Sequence, residues 1–236
     1  MLREHARREL VEAVQAGNVE RIDKVCSRYP GVVHGDPVRW FTLAAKGGHL
    51  AAVRALVRNG ARIDARDQYR KTALQYAAGT GDLTRASMFL SAGADVDAPG
   101  RHGRTALHYG VYSDDPAMVR LLLEHGANVN ARDEGGQTPL LVAISSGRDP
   151  AIAELLLESG ADPDAEAAGG WTPLISAALH GDLPRTRLLL QHGADPNRVS
   201  AEGLTALDMA LKHGGNAVAQ LLRAHGAKTA EELRAE

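Results

Sequence analysis

The chain has 236 residues, 44% of them hydrophobic and 24% charged, with a formal net charge of −2. That balance fits a soluble globular chain with room for one large or two small domains. It argues against general nucleic-acid binding, which leans on strong positive charge. Aromatics make up only 4%, so the core must come from Ala, Leu and Val, and a single cysteine excludes an internal disulfide or a cysteine-rich metal site.

The first residues, MLREHARRELVEAVQ, are charged and lack the apolar stretch of about 7–15 residues that a signal peptide needs. No run of about 18 apolar residues follows, so no membrane span is expected and a cytoplasmic location is the default. A faint repeat begins here: ELVEAVQAGNVERIDKVCSRYP aligns with RWFTLAAKGGHL through Gly17 and Gly48, 31 residues apart. In this second copy Arg39 takes the place held by threonine in later ones. Five clear copies follow: KTALQYAAGTGD, RTALHYGVYSDD, QTPLLVAISSGRD, WTPLISAALHGD and LTALDMALKHGG. Their threonines, Thr72, Thr105, Thr138, Thr172 and Thr205, are 33, 33, 34 and 33 residues apart. Each copy runs on into FLSAGAD, LLLEHGAN, LLLESGAD, LLLQHGAD or LLRAHGAK.

One copy suffices to derive the local fold. Leu174, Ala177 and Ala178 recur at helical spacing and give one apolar face. Gly181 ends that helix, Asp182 caps the next, and Pro184 fits its first turn. Leu188, Leu189 and Leu190 supply a second buried face, and Gly193 stops it. His192 lies near the negative end of that helix. The chain then runs extended through 194–198. Each repeat is thus helix, turn, helix, extended finger. No repeat buries its own face alone, so the copies must stack into one elongated domain.

Local departures mark particular places. Asp114 stands where other copies have the turn glycine, and Asp tolerates left-handed φ better than most residues. Gly147-Arg-Asp-Pro150 carries one extra residue. At the ends, Arg3, Arg7, Arg8, Glu9 and Glu12 make the first helix polar. Arg223 replaces the final leucine of earlier copies, and its stem tolerates a half-buried site. Thr229 and Glu232 form a capping-box pattern that predicts a short terminal helix.

Thr-Pro-Leu at 138–140 and 172–174, Thr-Ala-Leu at 72–74, 105–107 and 205–207, and the Gly-Ala-Asp/Asn pieces together resemble the ankyrin repeat family over nearly the whole chain. Only two copies keep proline after threonine, and only His108 keeps the family histidine. The resemblance implies an all-α, ankyrin-type solenoid of stacked helix-turn-helix repeats with β-turn fingers. It implies a single domain over 1–236, with an N-terminal capping repeat at about 4–33. Repeats are then expected at about 34–66, 67–99, 100–132, 133–166 and 167–199, and a C-terminal capping repeat at about 200–236. In the family, asparagines such as Asn130 and Asn197 can be hydroxylated; from the residues alone they read as turn-stabilising.

No catalytic, cofactor or metal site is expected. Cys26 aligns with core leucines and reads as a buried structural thiol. His125, His192 and His225 recur at helix ends in different copies. The 125–192 pair is two repeats apart and the 192–225 pair one, at least roughly 10 Å in layered packing, whereas zinc ligands lie about 2 Å from the metal. No phosphate-binding glycine loop and no nucleophile elbow occurs.

The resemblance implies a non-enzymatic module that binds a partner protein in a concave groove of finger tips and first helices. The finger tips RDQYRK, PGRHGR, RDEGGQ, EAAGGW and VSAEGL carry formal charges of +2, +2, −1, −1 and −1. The first half of the groove is therefore expected to be basic, the second acidic and apolar. Candidate partner-binding residues are Tyr69, Lys71, Arg101, His102, Arg104, Tyr112, Gln137, Trp171, Leu179, His180, Leu204 and His213. Trp171, Leu179, His180 and Leu204 are expected to cluster. Trp171 is either a contact anchor or a residue that stiffens the fingers across Leu204. The partner, otherwise unknown, would offer an acidic segment and an apolar anchor, with no nucleic acid and no membrane involved. Alternatives are a self-associating assembly subunit, or a nucleic-acid binder using the basic fingers at 66–104.

Overall fold

Short helices joined by left-handed turns follow directly from the threonine and aspartate caps. The computed structural model describes residues 2–213 and 215–235, and side chains from Glu4 onward; Met1, Gly214, Glu236 and the side chains of Leu2 and Arg3 lie outside the described residues. Among the described residues, seven helix pairs follow one another: α1 (Leu2–Gln15) with α2 (Val19–Arg28), α3 (Pro37–Lys46) with α4 (Leu50–Arg58), and α5 (Ala73–Gly79) with α6 (Leu83–Ser91). Then come α7 (Ala106–Tyr112) with α8 (Pro116–Glu124), α9 (Pro139–Ser145) with α10 (Pro150–Glu158), α11 (Pro173–Leu179) with α12 (Leu183–Gln191), and α13 (Ala206–Lys212) with α14 (Asn216–Ala224). A short α15 (Ala230–Arg234) ends the series. Odd-numbered helices of the seven pairs pack on odd, and even on even, so two helix layers run side by side. One apolar core threads them from Leu10 to Ala227.

The aspartates cap as the sequence predicts, and the repeat threonines prove to be caps as well. Thr72, Thr138, Thr172 and Thr205 each accept a hydrogen bond from the third backbone N–H of their helix. Asp82, Asp115, Asp149 and Asp182 cap α6, α8, α10 and α12. Each such cap contributes about 1 kcal/mol. Asp114 has φ of 60°, the left-handed turn expected of it. Cys26 is buried, and burial pushes its thiol up to about 11.

The second copy corrects the repeat alignment. Helix α3 has ten residues and begins at Pro37, capped by Asp36, whose carboxylate accepts from Arg39 N–H at 3.2 Å. Arg39 therefore lies in the first helical turn, not at a threonine-like cap. Asp followed by Pro is a strong helix start, and it outcompetes the repeat register. A 3₁₀ turn at Val32–His34 precedes this helix in place of a hairpin finger.

A second ladder joins consecutive repeats at the finger bases. The side chains of Asp64, Asp97, Asn130, Asp164 and Asn197 accept from the backbone N–H of Asp95, Asn128, Asp162, Asp195 and Lys228 at 2.8–3.0 Å. The two asparagines also donate, Asn130 to Gly160 O at 3.0 Å and Asn197 to Gly226 O at 3.3 Å. Their turn-stabilising role thus extends across repeats.

At the C-terminal end Arg223 does more than tolerate a half-open site. Its guanidinium grips Glu232 of α15 with two hydrogen bonds, at 2.7 and 2.8 Å. Asp208 of α13 accepts from Ala230 N–H at 2.9 Å, so α15 is held from two helices. Among the described residues, no helix is long and apolar enough to cross a membrane.

Candidate functional site

Each finger is a tight hairpin whose two ends are joined by a backbone bond. The donors and acceptors are Asp67 N to Lys71 O, Gly100 N to Arg104 O, Asp133 N to Gln137 O, Ala167 N to Trp171 O and Ser200 N to Leu204 O, all at 2.8–3.0 Å. The residue before each inner-helix threonine is therefore fixed at the corner between finger and inner helix. Consecutive fingers are then zipped: Glu134 N donates to His102 O, Ala168 N to Gly135 O, and Ala201 N to Gly169 O, at 2.8–2.9 Å.

In the basic half, two of the predicted cations are already engaged. The Lys71 ammonium sits 4.5 Å from the Tyr109 ring centre and 5.3 Å from that of Tyr76. The Tyr76 hydroxyl donates to Asp67 at 2.6 Å, and burial with that bond raises its pKa. Arg104 pairs with the buried Asp133 carboxylate at 3.1 Å. Arg104 also lies 5.2 Å from the Tyr112 ring centre, and Arg148 lies 5.5 Å from the same ring. Arg148 is the extra residue of its turn, so the insertion supplies a second cation to this ring. Arg101 Nε donates to His102 at 3.1 Å, and His102 faces Glu134 at 3.4 Å. Tyr69 is 57% exposed.

Trp171 is half-buried and lines a cavity of about 590 Å³ with His102, Arg104, Gln137, Leu141 and Ser176. Four predicted contact residues from three successive fingers thus meet there: His102, Arg104, Gln137 and Trp171. Leu179, His180 and Leu204 do not line this cavity. Trp171 thus faces the preceding repeats, sharing this space with Gln137 and Arg104. His180 turns its Nδ1–H onto its own helix, 2.8 Å from Ser176 O. Leu179 and Leu204 are half-buried against the core. His213 is exposed at the end of α13 and does not line this cavity.

Sequence reasoning missed Tyr76, Tyr109 and Arg148. The tyrosines were detectable, since they stand 33 residues apart on equivalent turns of α5 and α7. It also missed a cavity of about 1480 Å³ beside α3 and α5, lined by Arg39, Arg62, Arg66, Asp64 and Tyr76 among others. That space opens where the hairpin finger is missing.

Among the described residues no group of three or more His, Cys, Asp or Glu is close enough to hold a metal ion. A search of curated proteins gave no match. The family model described as ankyrin repeats (3 copies) matches residues 10–100, 41–133, 89–167 and 140–232. These matches span nearly the whole chain, and it belongs to the ankyrin repeat family, whose members are generally protein–protein interaction modules and typically not enzymes.

Proposed function

We propose that the chain is a non-enzymatic interaction module that takes a partner protein in the groove of fingers and inner helices. The observation that carries this reading is the cavity beside Trp171, where an indole, an imidazole, a guanidinium and an amide from three fingers converge. An aromatic anchor ringed by polar groups is the usual make-up of a binding hot spot, where truncation costs about 2 kcal/mol or more. The partner would bring an apolar anchor for Trp171 and an acidic stretch for the basic fingers. The charges then set its orientation and arrival rate more than its affinity. The test is affinity capture from native lysate with wild type and with Trp171→Ala plus Gln137→Ala. Specific partners are expected to be lost by a variant whose melting temperature is unchanged. Equal retention would remove the site assignment.

A second reading, self-association, is favoured by one residue. Leu211 is 54% exposed, whereas its counterparts Ala78, Val111, Ile144 and Ala178 are buried under the next repeat. Sedimentation over a concentration series decides it, and a strict monomer at high concentration eliminates it.

A further inference from the structure

The finger zipper has one open joint. By the offset of the other three bonds, Arg101 N–H should donate to Tyr69 O. Among the described residues, neither group has a hydrogen-bond partner. The cause lies at the fourth position of the finger, which has left-handed φ in all five: Arg70, Gly103, Gly136, Gly170 and Gly203. A Cβ on Gly103 would stand 3.3 Å from Glu134 N and one on Gly170 3.2 Å from Ala201 N, both tight, while one on Gly136 would stand 3.4 Å from Ala167 Cα and 3.6 Å from Ala168 N. The glycines therefore let the next finger approach closely enough to bond. Arg70 carries a real Cβ at that place, so the second finger is held off. The 133–137 finger starts with aspartate as the first one does, and it has Gly135-Gly136 where the first has Tyr69-Arg70. It bonds onward normally, which assigns the gap to these two side chains.

Around the gap stand Arg66, Arg70 and Arg101, none with a carboxylate partner among the described residues. Tyr69 is the most exposed large hydrophobic residue among those described. We propose that this open joint takes an extended acidic segment of a partner protein. The backbone of that segment donates to Tyr69 O and accepts from Arg101 N–H, and its carboxylates meet Arg66, Arg70 and Arg101. The inference rests on the interaction-module reading and locates the acidic half of the partner within it. Open backbone donor and acceptor groups favour a peptide over a nucleic acid, which has no main-chain amide to pair with them.

The probe is a peptide of about eight residues alternating glutamate and valine, titrated into the full chain and followed by amide NMR signals. Shifts are expected at Tyr69 and Arg101, and N-methylation of the peptide backbone should abolish them. Arg70→Gly is expected to let the joint close, so that the Arg101 amide gains protection from exchange and peptide affinity falls about tenfold, the equivalent of one bond of roughly 1.4 kcal/mol. Arg70→Asn, which removes the charge but keeps the Cβ, should leave the amide unprotected and lower affinity less. The proposal is overturned if no binding is seen, or if a lysine–valine peptide or a short oligothymidylate binds as tightly. It is equally overturned if Arg70→Gly protects the Arg101 amide without weakening the peptide, or leaves that amide unprotected. A natural partner lost by Trp171→Ala yet fully retained by Arg70→Gly would sink this inference and leave the groove reading standing.

Discussion

His108 Nε2 donates to the main-chain carbonyl of Gln137 at 3.0 Å, tying α7 to the next finger. Its Nδ1 accepts from Thr105 N–H at 3.2 Å, which fixes the tautomer. The ring is fully buried, and burial lowers its pKa below 6.5. The unfolded chain therefore binds this proton more readily than the folded one. Stability from this group is complete above the ordinary pKa and is lost as pH falls through the lowered one. Gln75 makes the same two contacts in its own repeat, accepting from Thr72 N–H and donating to Arg104 O at 3.2 Å, and it also donates to Ala98 O. His108→Gln should therefore keep the neutral-pH melting temperature and remove this part of the acid loss, as read by melts from pH 7.5 downward.

Asp164 occupies a ladder position where Asn130 and Asn197 make two bonds and a carboxylate can only accept. Burial raises its pKa, so the ionised form is disfavoured by folding. Its contribution improves as pH falls, the reverse of His108. Asp164→Asn should stabilise by about 1 kcal/mol at neutral pH by adding a donor toward Gly193 O. The gain should shrink in acid, where the wild-type carboxyl becomes protonated. Denaturant titrations at two pH values check both statements.

The guanidinium groups of Arg104 and Arg148 lie 5.2 and 5.5 Å from the Tyr112 ring centre. A double-mutant cycle of Tyr112→Leu and Arg148→Ala should give a coupling of about 0.5–1 kcal/mol, the range for a partly exposed cation on an aromatic face. Deleting Arg148 should match Arg148→Ala in this cycle. Additive effects would show that the inserted residue stabilises nothing through the ring.

Helix α15 hangs on Arg223 and Glu232. The Arg223 guanidinium holds the Glu232 carboxyl down to about 2. Docking that depends on this carboxylate is complete above the ordinary value of 4.5 and is lost as pH falls from there through about 2. Glu232→Gln should loosen α15 already at neutral pH. Faster amide exchange in α15, with α13 unchanged, is the expected reading.

Much of this architecture is written locally. A threonine three residues before a free N–H, or an aspartate before a proline, closes a helix end without help from the rest of the chain. That is why the caps at Thr172 and Asp182 are legible in sequence. The same local strength explains the one alignment failure: Asp36-Pro37 starts α3 early, and a repeat template centred on Arg39 overlooks it. Long-range pairs are less legible. Nothing adjacent to Tyr112 announces Arg148, and nothing in Arg223 announces Glu232. The neighbours of Trp171 were misassigned because sequence gives the corner it occupies but not the direction its finger leans.

The sequence by itself determined the repeat, its period, the helix caps and the positions that vary from copy to copy, since all of these follow from spacing and short-range hydrogen bonding. Only the tertiary structure decided which varied side chains meet. It brought Trp171 together with Gln137 and Arg104, which stand on fingers that backbone bonds hold side by side. It left Tyr69 and Arg101 unzipped at the one joint where Arg70 carries a Cβ in place of the glycine that the next three fingers have.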